Sequence, residues 1–121
     1  MGSFDYPITL VGSEGEINLK ALVDTGATYT WIPRPILERI GARPVRKMPF
    51  ALADGRVVEY ELAYVTVRVD GIEGPTICIF GDLGTEPLLG VVTLEEFGRG
   101  VDPINQALVP ITGRLKSATV A

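Results

Sequence analysis

Glu16-Ile17-Asn18-Leu19-Lys20-Ala21-Leu22-Val23-Asp24-Thr25-Gly26 opens with polar and apolar residues in alternation, becomes continuously apolar over Ala21-Leu22-Val23, and ends on an acid, a hydroxyl and a glycine. Period-two alternation marks a strand with one solvated face, and its loss marks the strand's entry into a core. The strand therefore delivers Asp24 to an interior end, with the second apolar stretch Ala27-Thr28-Tyr29-Thr30-Trp31-Ile32 close behind. A carboxylate between two apolar stretches is expensive to bury without a partner. Asp, Thr and Gly are also turn residues, so the triplet alone reads equally as a strand ending in an ordinary turn.

Working outward, Val57 to Asp70 is a long alternation, with Val57, Glu59, Glu61, Ala63, Val65, Val67 and Val69 on one face and Val58, Tyr60, Leu62, Tyr64, Thr66 and Arg68 on the other. Phe50-Ala51-Leu52-Ala53 and the turn pair Asp54-Gly55 precede it, which predicts a β-hairpin closed by a tight turn. Asp70-Gly71 repeats the turn signal before a strand over Pro75 to Phe80, and a last strand is expected over Ala107 to Ile111. Two short helices are predicted. One covers Pro35 to Ile40, with proline suited to a first turn and Gly41 to the stop. The other starts at Thr93 as its cap, with Glu96 completing a capping box and Gly98 ending it. The expectation is all-β with one or two short helices, one domain over residues 1–121 with its core over about 8–112, and a polar tail over 113–121.

Composition narrows the chemistry. The 121 residues suit one domain with a modest core, and 46% hydrophobic against 21% charged residues argues against disorder. No apolar run approaches the roughly 20 residues that span a bilayer. The start lacks a secretory pattern, so a cytoplasmic location is expected by default, and Tyr6 breaks the myristoylation motif that Gly2 would begin. Cys78 is the one cysteine, flanked by Ile77 and Ile79, and is expected to be buried and structural. Eleven Lys and Arg against 15 Asp and Glu give a net charge of −4, which disfavours nucleic acid or an anionic membrane as partner. With no histidine, a Ser-His-Asp triad, a Cys-His pair and any zinc site needing imidazole are all excluded. Carboxylates, hydroxyls and lysine remain.

Taken in order, Ala21-Leu22-Val23-Asp24-Thr25-Gly26-Ala27-Thr28, the hairpin around Asp54-Gly55, Pro87-Leu88-Leu89-Gly90 and the short helix from Thr93 to Phe97 resemble the retroviral-like (retropepsin-type) aspartic peptidases, in particular their small single-domain members from bacteria and archaea. These pieces stand where the family has its active-site loop, its flap, the apolar-apolar-Gly element of its ψ-shaped loop and its helix. The resemblance implies the retropepsin fold, with the sheet in a closed, barrel-like form, and a homodimer acting on a peptide or protein substrate, without cofactor or metal. Asp24 from each subunit would form the catalytic dyad, Thr25 would hydrogen-bond across the dimer axis, and Gly26 would leave room for carboxylates and substrate. Ala27, Thr28 and the flap residues Leu52, Ala53, Asp54, Gly55 and Arg56 would bind the substrate. The chain departs from retroviral members in carrying Thr28 and Tyr29 where acidic residues are usual, and Val91 where Arg or Asp often follows the glycine.

Other residues favour plainer readings. Trp31 is expected in the core, with the border of the substrate cleft as its alternative, Asp82 and Glu86 as solvated positions of a glycine-rich loop, and Arg43, Arg46 and Lys47 as a solvated surface. Two alternatives to the peptidase stay open: a catalytically silent dimeric β-module that binds peptides in the same cleft or serves only for dimerisation, and a plain β-barrel interaction domain in which Asp24 caps a turn.

Overall fold

The computed structural model describes residues 3–113; Gly2 and the tail from 114 onward lie outside the described residues. Nine strands and two short helices follow in the order β1 (Phe4–Gly12), β2 (Gly15–Val23), β3 (Thr30–Pro33), α1 (Arg34–Arg39), β4 (Arg46–Ala51), β5 (Val57–Val69), β6 (Ile72–Gly81), β7 (Leu88–Leu89), α2 (Val91–Glu96), β8 (Arg99–Asp102) and β9 (Ala107–Pro110). Seven strands form one sheet in the order β1-β2-β7-β3-β6-β5-β4. β1 also pairs with β5, matching Thr9 to Arg68 and Val11 to Thr66, so the sheet curls into a ring with β4 hanging outside it on β5. The all-β architecture is thus present, as a ring-like sheet rather than a true closed barrel.

The turns show why the chain reverses where it does. Asp70 and Gly71 both have positive φ, 53° and 77°, the pairing that matches a two-residue hairpin turn to the twist of β5 and β6. The β4–β5 hairpin is looser than the expected tight turn. Its loop runs from Leu52 to Arg56, with the Leu52 N–H donating to the Arg56 carbonyl at 2.7 Å and Gly55 in the left-handed region. β5 changes role along its length. Ala63, Val65, Val67 and Val69 are buried, whereas Val57 to Glu61 leave the core to form the hairpin, so the single inward face read from the sequence holds only for the second half.

Leu10, Ile32, Leu37, Ile40, Leu62, Ile79 and Leu89 are fully buried, each stabilising the fold by about 2 kcal/mol. The Cys78 thiol is fully buried among them, and desolvation pushes its pKa up to about 12. α1 begins one residue earlier than expected, with Pro35 in its first turn, and Gly41 follows in the left-handed region. α2 differs in kind from the expectation. It starts at Val91 with Gly90 at its N-cap and no side-chain cap, so the Thr93–Glu96 capping box does not form. Thr93 lies inside the helix, and its hydroxyl is spent on buried partners. After α2, β8 and β9 form a separate two-stranded sheet. It is moored by Asp70, which accepts from the Tyr6 hydroxyl at 2.6 Å and pairs with Arg99 at 3.3 Å. Among the described residues, no helix is long and apolar enough to cross a membrane.

Candidate active site

β2 ends at Val23, and the next residue is the acid. Two-residue β7 lies between β2 and β3, parallel to β2 through Leu22–Leu88 and Val23–Leu89 and antiparallel to β3 through Trp31–Leu88. The loop 24–29 therefore leaves one side of β7 and returns on the other, tracing a ψ. The Asp24 N–H donates to the Leu89 carbonyl at 3.1 Å, and the Ala27 N–H to the Asp24 carbonyl at 3.1 Å. Asp24 Oδ1 accepts from the Gly26 N–H at 2.9 Å, which sets the carboxylate's rotation with a backbone donor. A second anchor comes from the start of α2, where Val91 and Val92 donate to the carbonyls of Ala27 and Thr28, each at 2.9 Å.

Gly90 makes that close approach possible. A Cβ there would lie 2.9 Å from the Thr28 carbonyl oxygen and closer still to the Tyr29 carbonyl, separations that real Cβ atoms essentially never show. The Gly90 N–H in turn donates to Thr30 Oγ1 at 3.1 Å. Thr30 is linked to Thr93 at 2.6 Å, Thr93 to Thr76 at 2.8 Å, and Thr76 to the Glu96 carboxylate at 2.6 Å. The three threonines are buried and Glu96 is exposed.

Asp24 itself is half-buried, and Thr25 and Gly26 are exposed. The interior location expected from the flanking apolar stretches is not what this single chain adopts, because those stretches turn into the sheet while the loop between them faces outward. Among the described residues, the ion pairs engage Arg34, Arg56, Arg68 and Arg99 and leave Asp24 without a cation. The carboxylate is held by backbone and open on one side.

The β4–β5 hairpin stands against this loop through aromatic rings. Phe50 meets Trp31 with centroids 5.0 Å apart and Tyr29 edge-on at 6.4 Å; Tyr60 meets Trp31 edge-on at 4.8 Å. These geometries suit the ring quadrupoles. Trp31 is half-buried in this wall rather than a core residue, since its place on β3 faces the hairpin. Asp82 does more than solvate its loop: it accepts from the Tyr60 hydroxyl at 2.9 Å, which holds that phenol's pKa above its usual value. Of the expected substrate contacts, Ala27 and Leu52 are half-buried, and Thr28, Ala53, Asp54, Gly55 and Arg56 are exposed. The Arg56 backbone N–H and guanidinium both donate to Asp54, keeping its carboxyl below the usual range, so these two side chains are tied to each other at the tip. A cleft of about 520 Å³ opens at the base of the hairpin between Lys47, Glu59, Tyr60, Asp82 and Leu83, and Asp24 does not line it.

The family model described as "gag-polyprotein putative aspartyl protease" matches residues 11–96. Solved structures with the same fold include the solution structure of Simian Foamy Virus (mac) protease, 24% identical, with a TM-score of 0.58 over 76% of this chain and 92% of that one. EIAV protease in complex with the inhibitor HBY-793 is 21% identical, with a TM-score of 0.59 over 80% of this chain and 89% of that one. No curated protein sequence matches the chain.

Proposed function

The chain belongs to the family of gag-polyprotein aspartyl proteases, and on that footing we propose that it is a homodimeric aspartic endopeptidase whose catalytic groups are Asp24 and Asp24 of the partner subunit. The observation that carries this reading is an uncompensated carboxylate oriented by the Gly26 N–H on the outward side of a ψ-shaped loop. One such chain supplies half of a dyad, and a two-fold axis supplies the other half.

The chemistry follows from two like charges in contact. Two carboxylates at hydrogen-bonding range cannot both ionise easily, so the pair shares one proton. The ionised member takes a proton from a bound water as it attacks the peptide carbonyl, and the protonated member donates to the carbonyl oxygen. The resulting tetrahedral diol collapses as one hydroxyl gives its proton to the ionised member and the amine leaving group takes a proton from the protonated member, which breaks the C–N bond and restores the dyad. In this reading Thr25, exposed beside Asp24, bonds across the axis, and Gly26 offers no side chain to obstruct the extended substrate. The hairpin tip, Leu52 to Arg56, closes over the peptide and excludes water. Ala27 and Thr28 flank the same strand of substrate, with their carbonyls already accepting from Val91 and Val92.

Mass-spectrometric profiling of a diverse peptide library, from acidic to neutral pH, tests the reading with wild type and Asp24→Asn in parallel. Cleavage by wild type alone is expected. Absence of cleavage by a confirmed dimer would instead favour a peptide-binding module.

A further inference from the structure

The mechanism uses neither the buried threonines nor Glu96, yet their hydrogen atoms can be placed by elimination. The Gly90 N–H can only donate, and it donates to Thr30. At the far end the Thr76 hydroxyl donates to the Glu96 carboxylate and so spends its single hydrogen. The Thr93–Thr76 contact then requires Thr93 as donor, and the Thr30–Thr93 contact requires Thr30 as donor. Every hydrogen points one way, from the Gly90 amide through three buried hydroxyls to an exposed carboxylate.

We infer that Glu96 is a positioning residue for Asp24, acting by fixing the direction of this hydroxyl chain and so holding the ψ-loop in register. The inference rests on the peptidase reading for its effect on catalysis. The link is short: Gly90 adjoins Leu89, whose carbonyl accepts from the Asp24 N–H, and the next two residues bond to Ala27 and Thr28. Without the carboxylate, one hydroxyl hydrogen among the three threonines has no acceptor. If the chain keeps its direction, the orphan is at Thr76; if it reverses, the orphan is at Thr30, directly behind the Asp24 loop. An unpaired buried donor is costly, and the two directions become close in energy, so the loop loses its single arrangement.

The test compares Glu96→Leu, which removes the acceptor, with Glu96→Gln, whose amide oxygen still accepts from Thr76. Because Glu96 is exposed, both variants are expected to fold. Amide hydrogen exchange needs no substrate and reads the loop itself. In Glu96→Leu, exchange at Gly90 and Asp24 is expected to accelerate about tenfold with Leu10 and Val67 unchanged, kcat to fall about tenfold, and KM to stay within about twofold. Glu96→Gln should return both readouts close to wild type. Unchanged exchange and kcat in Glu96→Leu, equal acceleration at Leu10 and Val67, or a Glu96→Gln as impaired as Glu96→Leu would each overturn the inference. A wild type that cleaves nothing would refute the peptidase reading instead, while faster exchange at Gly90 alone would still show the carboxylate holding the loop.

Discussion

Replacing Gly90 by alanine adds one methyl group at the point where the start of α2 meets the Asp24 loop. The new Cβ would stand 2.9 Å from the Thr28 carbonyl oxygen and closer to the Tyr29 carbonyl, and all of these are backbone atoms that no rotamer change can move aside. To restore ordinary contact with the Tyr29 carbonyl the loop must retreat by about 1 Å. That retreat stretches the Val91–Ala27 and Val92–Thr28 bonds from 2.9 Å and the Gly90–Thr30 bond from 3.1 Å past useful length. Three bonds at about 1 kcal/mol each amount to about 3 kcal/mol, the upper end of the usual overpacking cost. For a chain of this size about 4 °C of Tm is lost per kcal/mol, so thermal unfolding should show a fall of about 12 °C. Peptide cleavage should fall more than the folded fraction explains, since the displaced segment carries Asp24. A Gly90→Ala protein with a Tm within about 2 °C of wild type would refute the claim that this approach is tight.

Three further outcomes are expected. In Phe50→Ala the hairpin loses its ring contacts with Tyr29 and Trp31, so KM should rise several-fold and amides over Arg46–Ala51 should exchange faster; unchanged values would mean that the rings do not steady the hairpin. The Cys78 thiol should resist alkylation at pH 8 in the native protein and react once the protein is denatured. The native state keeps the thiol proton up to about 12 whereas an unfolded chain releases it near 9.0, so stability should decline as pH rises above 9.0, by at most about 1.4 kcal/mol per unit. Chemical denaturation from pH 8 to 10.5 measures the slope; a Cys78→Ala variant with the same slope would assign it to another group.

The elements that periodicity and turn chemistry encode locally were legible. The strand leading to Asp24, the Asp70-Gly71 turn and the glycines that stop both helices each follow from a few neighbouring residues. The ψ-shaped loop was legible only through its resemblance to a known pattern, because β7 is two residues long and is defined by partners far away in sequence. Thr93 shows where local rules fail. A threonine three residues before a glutamate fits a capping box equally well as a buried hydroxyl inside the helix, and the choice is made by Thr30 and Thr76, 63 and 17 residues distant. The available signal was a threonine within each of two otherwise apolar strands, Tyr29-Thr30-Trp31-Ile32 and Pro75-Thr76-Ile77-Cys78. Trp31 was misplaced for a similar reason, since hydrophobicity does not distinguish a core from a wall facing a hairpin. The outward face of Asp24 is likewise set by the ring of strands behind it rather than by its apolar neighbours.

Mixing wild type with increasing Asp24→Asn at constant total protein, and allowing subunits to exchange, measures how many Asp24 side chains one active site needs. If each site takes one aspartate from each chain, activity follows the square of the wild-type fraction, and an equal mixture retains about a quarter of the activity. Activity falling in direct proportion to the wild-type fraction would mean that each chain works alone, and would contradict a dyad built from Asp24 and Asp24 of the partner subunit.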